Sequence, residues 1–416
     1  MQGAESIDED RDGGHGWSVT LWSMVGIQFM MSLALTVIGP ILPVFLPQIG
    51  VEDRSAVELW AGILNSCGFL IAAFASPLWG RLGDRSGRKL MVIRSSVAIC
   101  VFTALMGLSQ NVWQLFALRA LMGAFSGFSA TAIALVASQV PGRRLGMALG
   151  WLATGQLTGA LMGPVVGGAL ADWTGSYRIA FYWTSILAGS ALVMAWWLVP
   201  ESRAPASSGK MQPSLLTRLR LVARAGGLLP LLLVLMLAQF SARAVLPVIT
   251  IFVQDLVGVR PDLTTLAGVA FSVTGLADLV ASPFLGKRSD TAGYRRTLLI
   301  CLTGATLATL PQAFVQNYWM FVLERFGVGV FIGGVLPTAN ALVGRLTSAA
   351  DRGLVYGLTA SATFFGSFLG PLTGGAVASL WGPRWVFVVT AIVMAANGLW
   401  VMTTVADPVE LPASAD

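Results

Sequence analysis

Apolar runs of about twenty residues recur along the whole chain with hardly a charge inside them, which leaves few folds open. Lipid offers backbone N–H and C=O groups no partner, so a crossing segment satisfies them internally as a helix of about 20 apolar residues. Twelve such runs are readable, at approximately 18–47, 57–80, 90–110, 113–140, 146–171, 178–199, 228–254, 264–286, 297–315, 319–345, 354–379 and 384–405. Twelve spans would use about 240 to 300 residues, leaving only short loops and tails and no room for a large soluble catalytic domain. Composition agrees: 55% of the 416 residues are hydrophobic and 11% charged, where a soluble domain carries roughly a quarter charged residues. The expected class is an all-α integral membrane protein whose first partner is the bilayer.

The formal charge of +6 says more about orientation than about nucleic acid, which is set aside as a partner. With the N-terminus in the cytoplasm, only Arg54, Arg178, Arg260 and Arg384 fall outside, while Arg119, Arg243 and Arg325 lie within spans. The other 19 of the 26 basic residues collect on the inner side. Both termini are therefore expected inside an inner membrane. Cys67, Cys100 and Cys301 sit far apart in apolar segments, so they read as packing residues rather than a disulfide framework or a metal site. The single histidine, His15, lies in an acidic tail with Glu5, Asp8, Glu9, Asp10 and Asp12, which removes histidine-based catalysis. That tail lacks the basic start of a signal peptide, so the first span should be retained. No cofactor is implied.

An internal repeat divides the chain. Ser76, Pro77, Gly80, Arg81, Asp84 and Gly87 recur 206 residues later as Ser282, Pro283, Gly286, Lys287, Asp290 and Gly293. Trp113, Arg119, Gly123 and Gly127 recur as Trp319, Arg325, Gly329 and Gly333. With one residue of slippage, Gly159, Gly163, Pro164, Gly167 and Gly168 recur as Gly366, Gly370, Pro371, Gly374 and Gly375. The expected organisation is a disordered tail at 1–16, a six-helix bundle at 17–200, a cytoplasmic linker at 201–227, a second six-helix bundle at 228–405 and a tail at 406–416. Parallel repeats of this kind enclose a cavity and alternate access to it by rocking.

The run Gly80-Arg81-Leu82-Gly83-Asp84-Arg85-Ser86-Gly87-Arg88-Lys89 resembles the signature between helices two and three of the major facilitator superfamily. The segment Gly159-Ala160-Leu161-Met162-Gly163-Pro164-Val165-Val166-Gly167-Gly168 is similar to the helix-five signature of that family's twelve-span drug:proton antiporters. The wording around Ala75-Ser76-Pro77-Leu78-Trp79-Gly80, Asn111-Val112-Trp113-Gln114-Leu115 and Gln139-Val140-Pro141 is close to the MdtG-type multidrug efflux subgroup. The resemblance covers about residues 17 to 405. It implies that Gly80, Gly83, Asp84, Arg85, Gly87, Arg88 and Lys89 form a gate, with Asp84 as an inter-half latch. It also implies that Gly159, Gly163, Pro164, Gly167 and Gly168 seal or hinge the cavity.

Physical readings stand beside these. Gly83 and Gly87 permit a tight turn, and Arg85, Arg88 and Lys89 also satisfy the positive-inside rule. Gly155, Gly159 and Gly163, four apart, open a groove for close helix approach, and Pro164 bends the span. Ordinary close packing accounts for the same glycines.

Each charge within the hydrocarbon costs about 2.5 to 3.5 kcal/mol at a helix centre and demands a partner or a purpose. Arg119 matches the arginine of the family's helix-four motif; it either snorkels to the outer interface or serves coupling or structural hydrogen bonding. Arg243 lies roughly 22 Å into span seven, with Gln239 on the same face. Asp278 lies about 14 Å from the inner end of span eight on a face with Thr274 and Ser282. An Arg243–Asp278 ion pair is the natural expectation, either fixed or breakable by substrate or proton. Glu324, about 100° around its helix from Arg325, either carries protons or is structural. Span one has no acid; Gln28, Ser32 and Thr36 make a neutral stripe.

The reading is a secondary active transporter, not an enzyme: a monomer exporting amphiphilic or drug-like small molecules in exchange for protons. Export of one metabolite such as a siderophore or sugar, nutrient uptake, lipid flipping and membrane-embedded catalysis stand as alternatives. No HExxH, GxSxG or paired-aspartate pattern supports the last.

Overall fold

The structure, a computed structural model, describes residues 5–125, 127–201, 228–347 and 352–405; the side chains of 5–16, 77, 80, 81, 84, 85 and 352–354 lie outside that description. The linker beyond residue 201 and the tail at 406–416 fall outside it too. The described residues are all-helical. In chain order the helices are α1 (Glu5–Val37), α2 (Leu42–Phe45), α3 (Arg54–Ser86), α4 (Arg88–Gly107), α5 (Val112–Ala124), α6 (Phe128–Gln139), α7 (Leu145–Thr174) and α8 (Tyr177–Leu198). They continue as α9 (Leu228–Ala244), α10 (Ile249–Val257), α11 (Leu263–Ala292), α12 (Tyr294–Thr309), α13 (Tyr318–Ile332), α14 (Val335–Leu346), α15 (Arg352–Trp381) and α16 (Pro383–Thr404). The first helix starts at Glu5.

Nine helical stretches among the described residues are long and apolar enough to cross a membrane. Large apolar side chains such as Phe74, Phe284, Leu307 and Leu323 stand exposed, as lipid-facing residues do. The chain is a multi-pass membrane protein. Four expected spans are drawn as two helices each: α1–α2 part near Pro40, α9–α10 at Leu246–Val248 around Pro247, α5–α6 at Gly127 and α13–α14 at Gly333–Gly334. Proline removes a backbone donor, and Gly127 adopts φ +113°, which only glycine takes without strain.

Two compact units emerge, and their membership differs from the expected division. The first holds residues 1–52, 70–210 and 260–272; the second holds 53–69, 211–259 and 273–416. The first turns of α3 thus belong with the second unit and those of α11 with the first. Contacts between distant helices decide membership, and neither composition nor linker position reveals them.

Within the first unit, α7 lies along α1. A Cβ on Gly155 would meet the Val25 carbonyl at 2.8 Å, one on Gly163 would meet the Leu33 carbonyl at 2.7 Å, and Gly159 and Gly167 sit on the Phe29 and Val37 carbonyls. Within the second unit, Gly366, Gly370 and Gly374 of α15 meet α9 at Met236, Phe240 and Ala244 in the same way. Apolar cores then fill the spaces between helices. Met24, Ile27, Val92, Leu135 and Ala191 pack in the first unit; Leu231, Leu235, Leu298, Leu342 and Val401 pack in the second.

The repeat extends to contacts. Arg178 donates to the Gly107 carbonyl at 2.6 Å and lies over the Phe45 ring, which packs on Phe181. Arg384, 206 residues later, donates to the Ala313 carbonyl at 3.2 Å and lies over Phe252, which packs on Phe387. Asn111 and Asn317 cap α5 and α13, accepting from the Gln114 and Trp319 amides.

Gly159→Ala and Gly167→Ala should each cost about 1–3 kcal/mol by overpacking against α1. Gly150→Ala, with open space around it, should leave stability unchanged or raise it by up to about 1 kcal/mol. Thermal unfolding of the detergent-purified protein checks all three.

Candidate functional site

The Gly80–Lys89 signature straddles the α3–α4 junction. Gly83 is helical and buried, and a Cβ there would touch the Met91 side chain at 3.0 Å, so it serves packing and not the expected turn. Gly87 alone turns the chain, at φ +97°, and its missing side chain makes room for the Glu201 carboxylate. Arg88 donates to the Ala134 carbonyl of α6, and Lys89 donates to the Trp196 carbonyl of α8 at 2.8 Å. Both cations fasten the start of α4 inside the first unit. The side chains of Gly80, Asp84 and Arg85 lie outside the described residues.

Arg94 serves the break between α5 and α6. Its guanidinium stacks on Trp79 at 3.7 Å and donates to the Phe125 carbonyl at 3.3 Å, while the Trp79 indole donates to the Ala124 carbonyl at 2.6 Å. Breaking span four at Gly127 strips the last turn of α5 of its helical donors, and this pair supplies them. The glycine cluster at 123–127 was the available signal.

On α1, Gln28 is 1% exposed and donates to Ser129 of α6 at 3.1 Å, leaving its carbonyl oxygen buried without a partner among the described residues. Thr36 bonds back to the Ser32 carbonyl at 2.9 Å and fills the space against Gly163, so the neutral stripe is partly spent on packing. Arg119 is half-buried on α5.

The second unit separates the two deep charges expected to pair. Arg243 places its guanidinium 5.1 Å from the Phe69 ring of α3, and Asp278 rests against Gly333, where a Cβ would meet its carboxylate oxygen at 2.6 Å. No ion pair joins them: spacing along each helix was readable, but the rotation of one helix against another was not. Gln239 packs its Cβ near Gly366 of α15. Thr274, one turn from Asp278, likewise lies against α13, where Gly329 makes room for its backbone, and its hydroxyl donates to the Arg325 carbonyl at 3.1 Å.

Arg325 is 5% exposed beside a cavity of about 40 Å³ bordered by Ser241, Thr274, Thr309 and Thr390. Its neighbour Glu324 is half-buried, with one carboxylate oxygen enclosed and unpartnered among the described residues. Within the spans, neither Asp278 nor Glu324 has a cation or donor recorded among the described residues.

Outside the spans, the Ser55 hydroxyl, followed by the Ala56 amide at 2.9 Å, holds the Asp53 carboxyl below its ordinary range at the start of α3. At the start of α12, burial and then the 2.6 Å hydrogen bond to Asp290 hold the Tyr294 phenol above its usual value. Arg345 lies 3.5 Å from Asp290, so this repeat copy of Asp84 is engaged within its own unit.

A family model described as Major Facilitator Superfamily matches residues 24–264 and 231–416. The multidrug resistance protein MdtG of Yersinia enterocolitica is 36% identical over 377 residues, 89% of both chains. That of Salmonella arizonae is 35% identical over 89% of this chain and 92% of its own. Among solved structures, the human organic anion transporter MFSD10 superposes with a TM-score of 0.69 at 18% identity, covering 92% of this chain and 99% of its own. The nucleoside transporter NupG does so at 0.75 and 13%, covering 92% and 100%. With a family match along nearly its whole length and close relatives of one kind, the chain belongs to the major facilitator superfamily, as a transporter of the MdtG type and not an enzyme.

Proposed function

We propose that the chain exports amphiphilic, drug-like small molecules across the inner membrane in exchange for protons. Twelve spans in two six-helix bundles, with both termini cytoplasmic, would alternate access to a central site in a monomer. The observation that carries the export reading is the 35–36% identity to multidrug resistance proteins over 89% of the chain. The Gly159–Gly168 signature, whose Gly159, Gly163 and Gly167 seat against α1 and whose Gly168 seats against α11, supports it. Glu324 supports proton exchange, since an enclosed carboxylate oxygen without a partner among the described residues favours the neutral, protonated form, and Asp278, half-buried within a span, is the second candidate. Asp84 remains the proposed inner latch, with Arg85, Arg88 and Lys89 around it.

Everted vesicles containing the protein should accumulate several unrelated amphiphiles when acid inside and stop when a protonophore collapses the gradient. Accumulation of one compound alone replaces the multidrug reading with a single-metabolite exporter, and gradient-independent accumulation overturns proton exchange. Glu324→Gln should cut gradient-driven transport at least about tenfold, a loss of about 1.4 kcal/mol of coupling, while downhill exchange continues. Because Arg243 and Asp278 share no partner, the stability losses of Arg243→Ala and Asp278→Asn should add in the double variant to within about 0.5 kcal/mol. Recovery in the double variant would restore the ion pair.

A further inference from the structure

Within the first unit, α7 meets the first turns of α11, a helix from the other sequence repeat. Gly168 leaves space for the Thr264 backbone, and Gly268 leaves space for that of Pro164 and Val165. The Ser272 hydroxyl donates to the Leu161 carbonyl at 2.5 Å. At the end of this seam the Asp172 carboxylate gathers four donors. One oxygen accepts from the Thr264 amide at 3.3 Å and from its hydroxyl; the other accepts from the Thr265 amide at 2.7 Å and its hydroxyl at 2.6 Å. These amides begin α11, where no helical carbonyl serves them, and the helix dipole favours an anion there.

The second unit contains the repeat-equivalent seam without this lock. Gly62 of α3 meets Gly375 of α15, 206 and 207 residues from Gly268 and Gly168. Ser379 stands where Asp172 would, and Glu58 stands at the place of Thr264, paired with Arg54 at 3.2 Å. The glycine crossing is thus common to both copies, while the carboxylate clasp belongs to one. A feature needed only to pack the crossing would have no reason to differ.

We propose that Asp172 is a gating residue: by clasping Thr264 and Thr265 it holds α7 against α11 at the outer face, and each transport cycle requires its release. This rests on the reading above, which puts the end of α7 and the start of α11 outside. The test is a chain with Cys67, Cys100 and Cys301 replaced by alanine and Ser272→Cys installed, labelled in intact cells by a membrane-impermeant maleimide. Asp172→Asn should raise the labelling rate about fivefold, as loss of charged hydrogen bonds shifts a two-state closure. Thr264→Val with Thr265→Val should raise it similarly, and Ser379→Ala should not. If Asp172→Asn fails to fold, the threonine variant decides. A lowered melting temperature with an unchanged labelling rate would make Asp172 a helix cap only and overturn the proposal, as would labelling seen in everted vesicles and absent from intact cells. The readout needs no substrate, so failure of gradient-driven export would leave the labelling result standing, and the reverse.

Discussion

Close approach of backbones is the constraint on which the structure depends. Between helices in lipid there is little hydrophobic drive, so association rests on packing, and packing at backbone distance requires that a side chain be missing. Gly155, Gly159, Gly163 and Gly167 remove theirs along α7, and Gly366, Gly370 and Gly374 along α15. Four-residue spacing keeps each set on one helical face, which turns a composition bias into a seam. Once α7 is fixed on α1 and α15 on α9, the other helices have edges to pack against. The signature associated with exporters is, in its local chemistry, this seam carried as far as Gly168 and α11.

Fixing helices so closely leaves their interruptions to be satisfied by side chains. Where span four breaks, Arg94 and Trp79 serve the carbonyls of Phe125 and Ala124. Arg178 and Arg384 do the same for carbonyls at the ends of α4 and of the short helix after α12. These arginines spend their donors on backbone, in keeping with the cost of an unserved carbonyl in a non-aqueous interior. The acids have no such employment: Asp278 and Glu324 find neither cation nor donor among the described residues.

Features carried by one helix at a time were legible in the sequence: the apolar runs, the glycine face of α7, the depth of Arg243. Offsets near 206 were equally legible, and they return as paired caps at Asn111 and Asn317. Features that depend on how one helix is turned against another were not. Gly83 looked like half of a turn because its packing partner, Met91, lies on the next helix. Arg243 and Asp278 looked like partners because axial depth is readable and azimuth is not. The assignment of 53–69 and 260–272 to the other unit is likewise a property of helix crossings.

Comparison of the two copies separates scaffold from function. Matched positions do the same work: Gly87 and Gly293 turn the chain at φ +97° and +91°, Arg178 and Arg384 cap, and Gly62 and Gly268 make close crossings. The unmatched positions carry the intramembrane acids. Asp278 faces Ala72 in the alignment of the repeats, Glu324 faces Leu118, and Arg243 faces Thr36, whereas Arg119 and Arg325 match. A buried ionisable group costs several kcal/mol unless it is paired or used, and symmetry of the fold alone would not preserve that cost in one half. Among the described residues the unpartnered intramembrane acids are accordingly concentrated in the second repeat, and the first repeat contributes hydrogen-bonding groups such as Gln28 and the carboxylate clasp at Asp172. The two repeats share one architecture, and their division of labour is written in the positions where they differ.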